Sequence, residues 1–200
     1  MLYLSHDIIT TGFKFRNLFC IFLIYLLTSC SVNPPQNKEN LCALFQEKQD
    51  WYTASVQSYQ KWGVPVHVQM AIMFQESSFI ADAQPPLNWM GVRPSTAFGY
   101  AQAKDETWEH YLSHTHTASA DRDDFADASD FIGWYCNLSN TKLNLSKYDA
   151  EQLYLAYHEG HGGYQRGSYL QKEWLMRTAK KVGVRANNYR YQLSHCQHQF

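Results

Sequence analysis

The sequence predicts a mainly helical fold. Apolar residues recur at helical spacing through most of the chain, residues that cap or stop helices bracket those stretches, and no stretch alternates with a period of two beyond a few residues. A chain of 200 residues with a net charge of −1 and 45% hydrophobic residues can bury one real core. The near-neutral balance argues against a nucleic-acid partner, which would call for a basic face.

The first element is not part of the fold. Leu18 to Leu27 is an unbroken apolar run preceded by Lys14 and Arg16, too short for a permanent membrane span and suited to a signal-peptide core. It ends in Leu27-Thr28-Ser29-Cys30, which resembles the bacterial lipoprotein signal, in which the cysteine is acylated and becomes the mature N-terminus. That resemblance implies a signal peptide over residues 1–29, lipidation of Cys30 and a membrane anchor of more than one acyl chain, because a single chain binds only marginally. Ser31 is not the aspartate that favours inner-membrane retention in enterobacterial lipoproteins, so the expectation is the periplasmic side of the cell envelope, with the outer membrane favoured.

Residues 30–39 carry Pro34 and Pro35 among polar residues without periodicity, and read as a tether before a domain over 40–200. Asn40 opens a helix to about Trp62, with Leu41, Leu44, Phe45, Trp51 and Tyr52 near helical spacing, and Gly63 stops it. Pro65 suits the first turn of a second helix, whose apolar stripe includes Val68, Ala71 and Ile72 and which ends near Ser77, so Glu76 lies at a helix end. Pro85, Pro86, Gly91 and Pro94 make residues 82–98 a long irregular loop containing Trp89, and loops of that length are as a rule either functional or disordered. Further helices start at Asp105, at Asp123 or Asp124, and at Asp149, and a last one runs from about Leu170 to Leu193.

Cys42, Cys136 and Cys196 follow Cys30, an odd number for an oxidising compartment. Pairing Cys42 with Cys196 closes the longest loop, and Cys136 sits in an apolar run with Phe131, Ile132, Trp134 and Tyr135 that suits a buried thiol.

Three segments carry the chemistry: Glu76-Ser77-Ser78-Phe79, Gly99-Tyr100-Ala101-Gln102 and Ala156-Tyr157-His158-Glu159-Gly160. In order and spacing they resemble the soluble lytic transglycosylase (SLT) branch of the lysozyme superfamily, over roughly Val64 to Gly167. There a Glu-Ser pair ends a helix, a Gly-Leu-Met-Gln segment follows a loop, and an Ala-Tyr-Asn-x-Gly segment comes later. Tyr100 and Ala101 stand here for Leu and Met, and His158 for Asn. The resemblance implies a lysozyme-like helical domain with a substrate groove that cleaves the glycan strands of peptidoglycan without a cofactor. It implies Glu76 as the catalytic acid and base, with Ser77, Tyr100, Gln102, Tyr157 and His158 at the substrate. Trp89 is the expected stacking surface for a sugar ring, since Trp108 and Trp134 fall at core positions.

Elementary chemistry supports the same glutamate. Protonating a glycosidic oxygen near neutral pH needs a carboxyl that still holds its proton, and apolar surroundings raise the pKa to that range. Phe74, Phe79 and Ile80 flank Glu76 in sequence. Most glycosidases need a second carboxylate, and Asp82, Asp105 and Glu159 are the candidates. The family resemblance implies another route, in which the muramoyl C6 hydroxyl attacks internally. A goose-lysozyme-like muramidase with Asp82 or Asp105 activating water, and a non-catalytic glycan-binding scaffold of an envelope assembly, are the alternatives. A zinc site is set aside: His158-Glu159-Gly160-His161 is one residue short of the His-Glu-x-x-His pattern, and the cluster of His110, His114 and His116 has no such pattern.

Overall fold

A computed structural model describes residues 33–200, so the expected signal peptide and Cys30 lie outside the described residues. The stretch from Asn40 to Trp62, expected as one helix, is two: α1 (Leu41–Glu47) and α2 (Gln49–Trp62). Lys48 leaves the helical region at φ −129°, ψ 72°. The apolar stripe runs across this break, because Leu44 and Trp51 lie seven residues apart and both are buried, so periodicity alone cannot reveal it. Asn40 caps α1 by accepting from the Ala43 amide at 3.1 Å. Gly63 ends α2 in the left-handed region, its amide donating to Tyr59 O at 2.7 Å.

Pro65 caps the next helix rather than forming its first turn, and α3 (Val66–Ser77) follows. Val68, Met70, Ala71, Ile72 and Met73 are all buried, so α3 is enclosed on most sides. The helices beyond are α4 (Asp105–Thr115), α5 (Phe125–Leu143), α6 (Ala150–Gln165) and α7 (Glu173–Cys196). A single turn of 3-10 helix (Ser168–Gln171) separates α6 from α7. Asp124 and Asp149 cap α5 and α6 by accepting from Asp127 N at 3.0 Å and Gln152 N at 3.1 Å.

α5 packs against α2, α3 and α6, and α7 covers the other sides of α3 and α6. α2 and α5 approach closely because Gly133 has no side chain: a Cβ there would lie 2.3 Å from Ser58 Oγ. A closed polar network crosses the same contact. Ser58 Oγ donates to Ser129 O at 2.9 Å, Ser129 Oγ donates to Gln69 Oε1 at 2.8 Å, and Gln69 Nε2 donates to Val64 O at 2.7 Å. These buried polar groups are hydrogen-bonded, which removes most of the cost of desolvating them.

The first and last helices are fastened together. Cys42 and Cys196 form a disulfide, and Cys136 is free and buried. Gln192 of α7 accepts from Leu41 N at 2.7 Å and donates to Glu39 O at 3.0 Å, while the Tyr189 hydroxyl donates to Lys38 O. Pro35 is buried, so the end of the expected tether lies against the domain.

Candidate active site

Glu76 is the penultimate residue of α3. Beyond it Ser78 (φ 52°) and Phe79 (φ 62°) both take left-handed conformations, which turns the chain sharply and leaves the glutamate at the helix end. Ser77 makes this turn possible: its hydroxyl accepts from Phe79 N at 3.1 Å and donates to Met73 O at 3.2 Å. Ser77 is buried and committed to the backbone, so it shapes the turn and does not face a ligand, contrary to the sequence-based expectation.

The Glu76 side chain opens onto a cavity of about 330 Å³. Gln102 comes to its wall from the loop, Phe131 and Tyr135 from α5, and Tyr157, His158 and Glu159 from α6. Burial pushes the Glu76 carboxyl up to about 7, against a hydrogen bond from Tyr154 that pulls the other way. Burial raises both Tyr154 and Tyr157, and the charge of Glu76 adds to each shift, so both phenols stay neutral donors. A group with this pKa can give and retake a proton near neutrality.

The second segment forms a tight turn closed by a bridge between Phe98 and Ala103. Gly99 (φ 79°) allows it, since a Cβ there would fall 2.0 Å from Arg122 O. Gln102 (φ 48°) donates through Nε2 to Ala83 O at 2.8 Å and Gly99 O at 3.0 Å, which leaves Oε1 as its acceptor for a ligand. Arg122 pins the turn from outside, donating to Ala103 O at 3.0 Å and Asp105 Oδ1 at 2.7 Å. Tyr157 closes the construction by donating to Ala101 O at 2.6 Å. The three segments therefore meet at one cavity.

A family model for the transglycosylase SLT domain matches residues 18–196. The chain belongs to the transglycosylase SLT domain family. Comparison with curated proteins gives no match. The family suggests transglycosylase activity on peptidoglycan, and its lysozyme-like helical architecture is the one described above.

Besides Ser77, two expected substrate contacts of this SLT domain lie elsewhere. Tyr100 is 1% exposed, its ring 5.5 Å from Trp51 and 5.6 Å from Phe125 with both interplanar angles near perpendicular. It fills the aromatic core because the turn at Gly99 directs the next side chain inward, so it cannot touch a glycan. Trp89 is 91% exposed at the tip of the 82–98 loop and does not line the cavity. Of the candidate second carboxylates, only Glu159 lines the cavity, and Asp105 is paired with Arg122.

Sequence reasoning missed Tyr154, the partner of Glu76, and the wall formed by Phe131 and Tyr135. A signal for Tyr154 existed, since it lies three residues before Tyr157 on the same helix and so on a neighbouring face. His161 stacks on Tyr135 with centroids 4.7 Å apart and shares a hydrogen bond with Ser139 Oγ at 3.0 Å. Among the described residues no three of His, Cys, Asp and Glu gather to hold a metal ion.

Proposed function

We propose that this chain is a lytic transglycosylase that cleaves the β-1,4 bond between N-acetylmuramoyl and N-acetylglucosaminyl units of peptidoglycan and leaves 1,6-anhydromuramoyl ends. The observation that carries this reading is a protonatable Glu76 facing the cavity, its carboxyl pushed up to about 7 by burial, with Tyr154 beside it. The Glu76 carboxyl gives its proton to the glycosidic oxygen as the C1–O bond breaks. The resulting carboxylate takes the proton of the muramoyl C6 hydroxyl while that oxygen bonds to C1. Glu76 ends protonated, and no water is consumed. Holding the C6 hydroxyl against C1 replaces a bimolecular attack by an internal one. Gln102 Oε1, His158 and the wall formed by Tyr157 and Tyr135 orient the strand.

Hydrolysis would need a second carboxylate to attack or to activate water. Glu159 is the available group, but Lys172 and Ser168 donate to its oxygens and leave it a weak base. Export under the residue 1–29 signal, with a lipid anchor on Cys30 in the outer membrane, brings the enzyme to its polymer. Digestion of purified peptidoglycan with mass analysis tests the reaction. Anhydro-muramoyl products are expected, whereas products that gain one water per cleavage would make the enzyme a hydrolase, and binding without products would make it a scaffold.

A further inference from the structure

Glu159 is a buried carboxylate that the proposed chemistry does not use. Its side chain is 4% exposed, although it borders the cavity. Lys172 Nζ donates to Oε1 at 2.6 Å, Ser168 Oγ donates to Oε2, and His158 Nδ1 lies 3.1 Å from Oε1. Gly163 leaves room for this arrangement: a Cβ there would lie 3.1 Å from both Glu159 Cβ and Ser168 Oγ, so a larger residue would press on the stem of the glutamate and on its donor. Burial pushes the Glu159 carboxyl up, but its hydrogen bonds from Lys172, Ser168 and His158, with the charge of Lys172, outweigh that and bring it down to about 2.

An ionised carboxylate only accepts hydrogen bonds. A neutral imidazole facing it must therefore carry its proton on Nδ1, as in the carboxylate–histidine pairs that orient metal ligands and catalytic bases. The other side of the ring is also held, because Trp174 packs edge-on to His158 with centroids 5.3 Å apart. Nδ1 is occupied, so Nε2 is the nitrogen left for a ligand.

We infer that Glu159 is a positioning residue, which fixes His158 in the Nδ1–H tautomer so that unprotonated Nε2 accepts a hydrogen bond from a hydroxyl or amide N–H of the glycan. This rests on the reading of the cavity as the glycan site. It also explains how a histidine takes the place of the asparagine in the third segment. An asparagine carries donor and acceptor on a fixed amide, while a histidine offers an acceptor reliably only if a neighbour sets its tautomer.

Nitrogen-15 NMR of the imidazoles in the folded protein, above the histidine titration range and with His158 assigned by loss of its signals in His158→Asn, reads the tautomer directly. The expected result is Nδ1–H in the unaltered protein and a shift toward Nε2–H in Glu159→Gln. Glu159→Gln should also lower kcat/KM on peptidoglycan by about tenfold or more. In a His158→Asn background the same change should cost less than about twofold, because the tautomer no longer matters. A predominant Nε2–H tautomer in the unaltered protein, an unchanged tautomer in Glu159→Gln, or an equal loss in the asparagine background would overturn the assignment. If Glu159→Gln fails to fold, the tautomer of the unaltered protein still decides. An unaltered protein with the Nδ1–H tautomer but no turnover would sink the proposed reaction and leave the pairing standing.

Discussion

The Tyr157 hydroxyl donates to the Ala101 carbonyl at 2.6 Å, tying α6 to the loop that carries Gln102. This bond joins the third segment to the second beside the end of α3, where Glu76 sits. Tyr157→Phe removes the bond and leaves the ring. It should cost about 1 kcal/mol of stability, with a further penalty because a buried carbonyl loses its donor. Turnover should fall by about tenfold as Gln102 loses its fixed distance from Glu76, with substrate affinity and kcat both affected. Thermal unfolding and steady-state kinetics on the same samples check both parts.

Glu76 makes stability and activity depend on pH in linked ways. Its carboxyl holds a proton up to about pH 7 in the native state but only to about 4.5 in the unfolded chain. The native state binds the proton more tightly, so this stabilisation is complete below 4.5 and is lost as pH rises through 7. The loss is on the order of 3 kcal/mol. Glu76→Gln has no such titration and should gain on the unaltered protein across that window, as urea denaturation at several pH values would show. Its activity should fall by several orders of magnitude with the fold intact, since the carboxyl proposed to protonate the glycosidic oxygen is gone. In the unaltered enzyme kcat/KM should decline as pH rises through about 7, because the proton-donating form disappears.

Gly99 has no tolerated substitute. A methyl group at this position meets the Arg122 carbonyl oxygen at 2.0 Å and also forces an alanine to a positive φ of 79°. Gly99→Ala should lose on the order of 3 kcal/mol or more, and the turn that presents Gln102 should shift. Denaturant unfolding gives the first quantity, and kcat/KM on peptidoglycan gives the second.

The Cys42–Cys196 bridge spans a sequence separation of 154. Replacing both cysteines by serine should cost about 4 to 5 kcal/mol in the chain-entropy account, since a loop of this length frees much of the unfolded chain. A thermal scan with and without a reductant should show the same loss in the unaltered protein.

Trp89→Ala should be silent in stability to within about 0.5 kcal/mol, because the side chain is almost wholly exposed. Turnover of short glycan fragments confined to the cavity should also be unchanged. A large fall in that turnover would mean that the loop closes over the site.

The helices were legible because their signals are local. Asn40, Gly63, Asp124 and Asp149 act at the ends assigned to them, through one side-chain or one backbone bond each. The break at Lys48 was not legible, since it leaves the apolar stripe in phase. Glu76, Gln102, Tyr157 and His158 were legible from three segments in order, and the cavity brings them together. Tyr100 was misplaced because a motif position says nothing of which way a side chain points after a left-handed glycine. In the sequence Glu159 stands only as one of three candidate second carboxylates. Its partners Lys172 and Ser168 come from beyond the kink at Gly160, so the network that binds it has no local sequence pattern.

The clasp between the first and last helices also bears on mechanical load. Tension applied through the chain before Cys42 and after Cys196 would pass across a covalent sulfur bridge and bypass the noncovalent packing of the bundle between them.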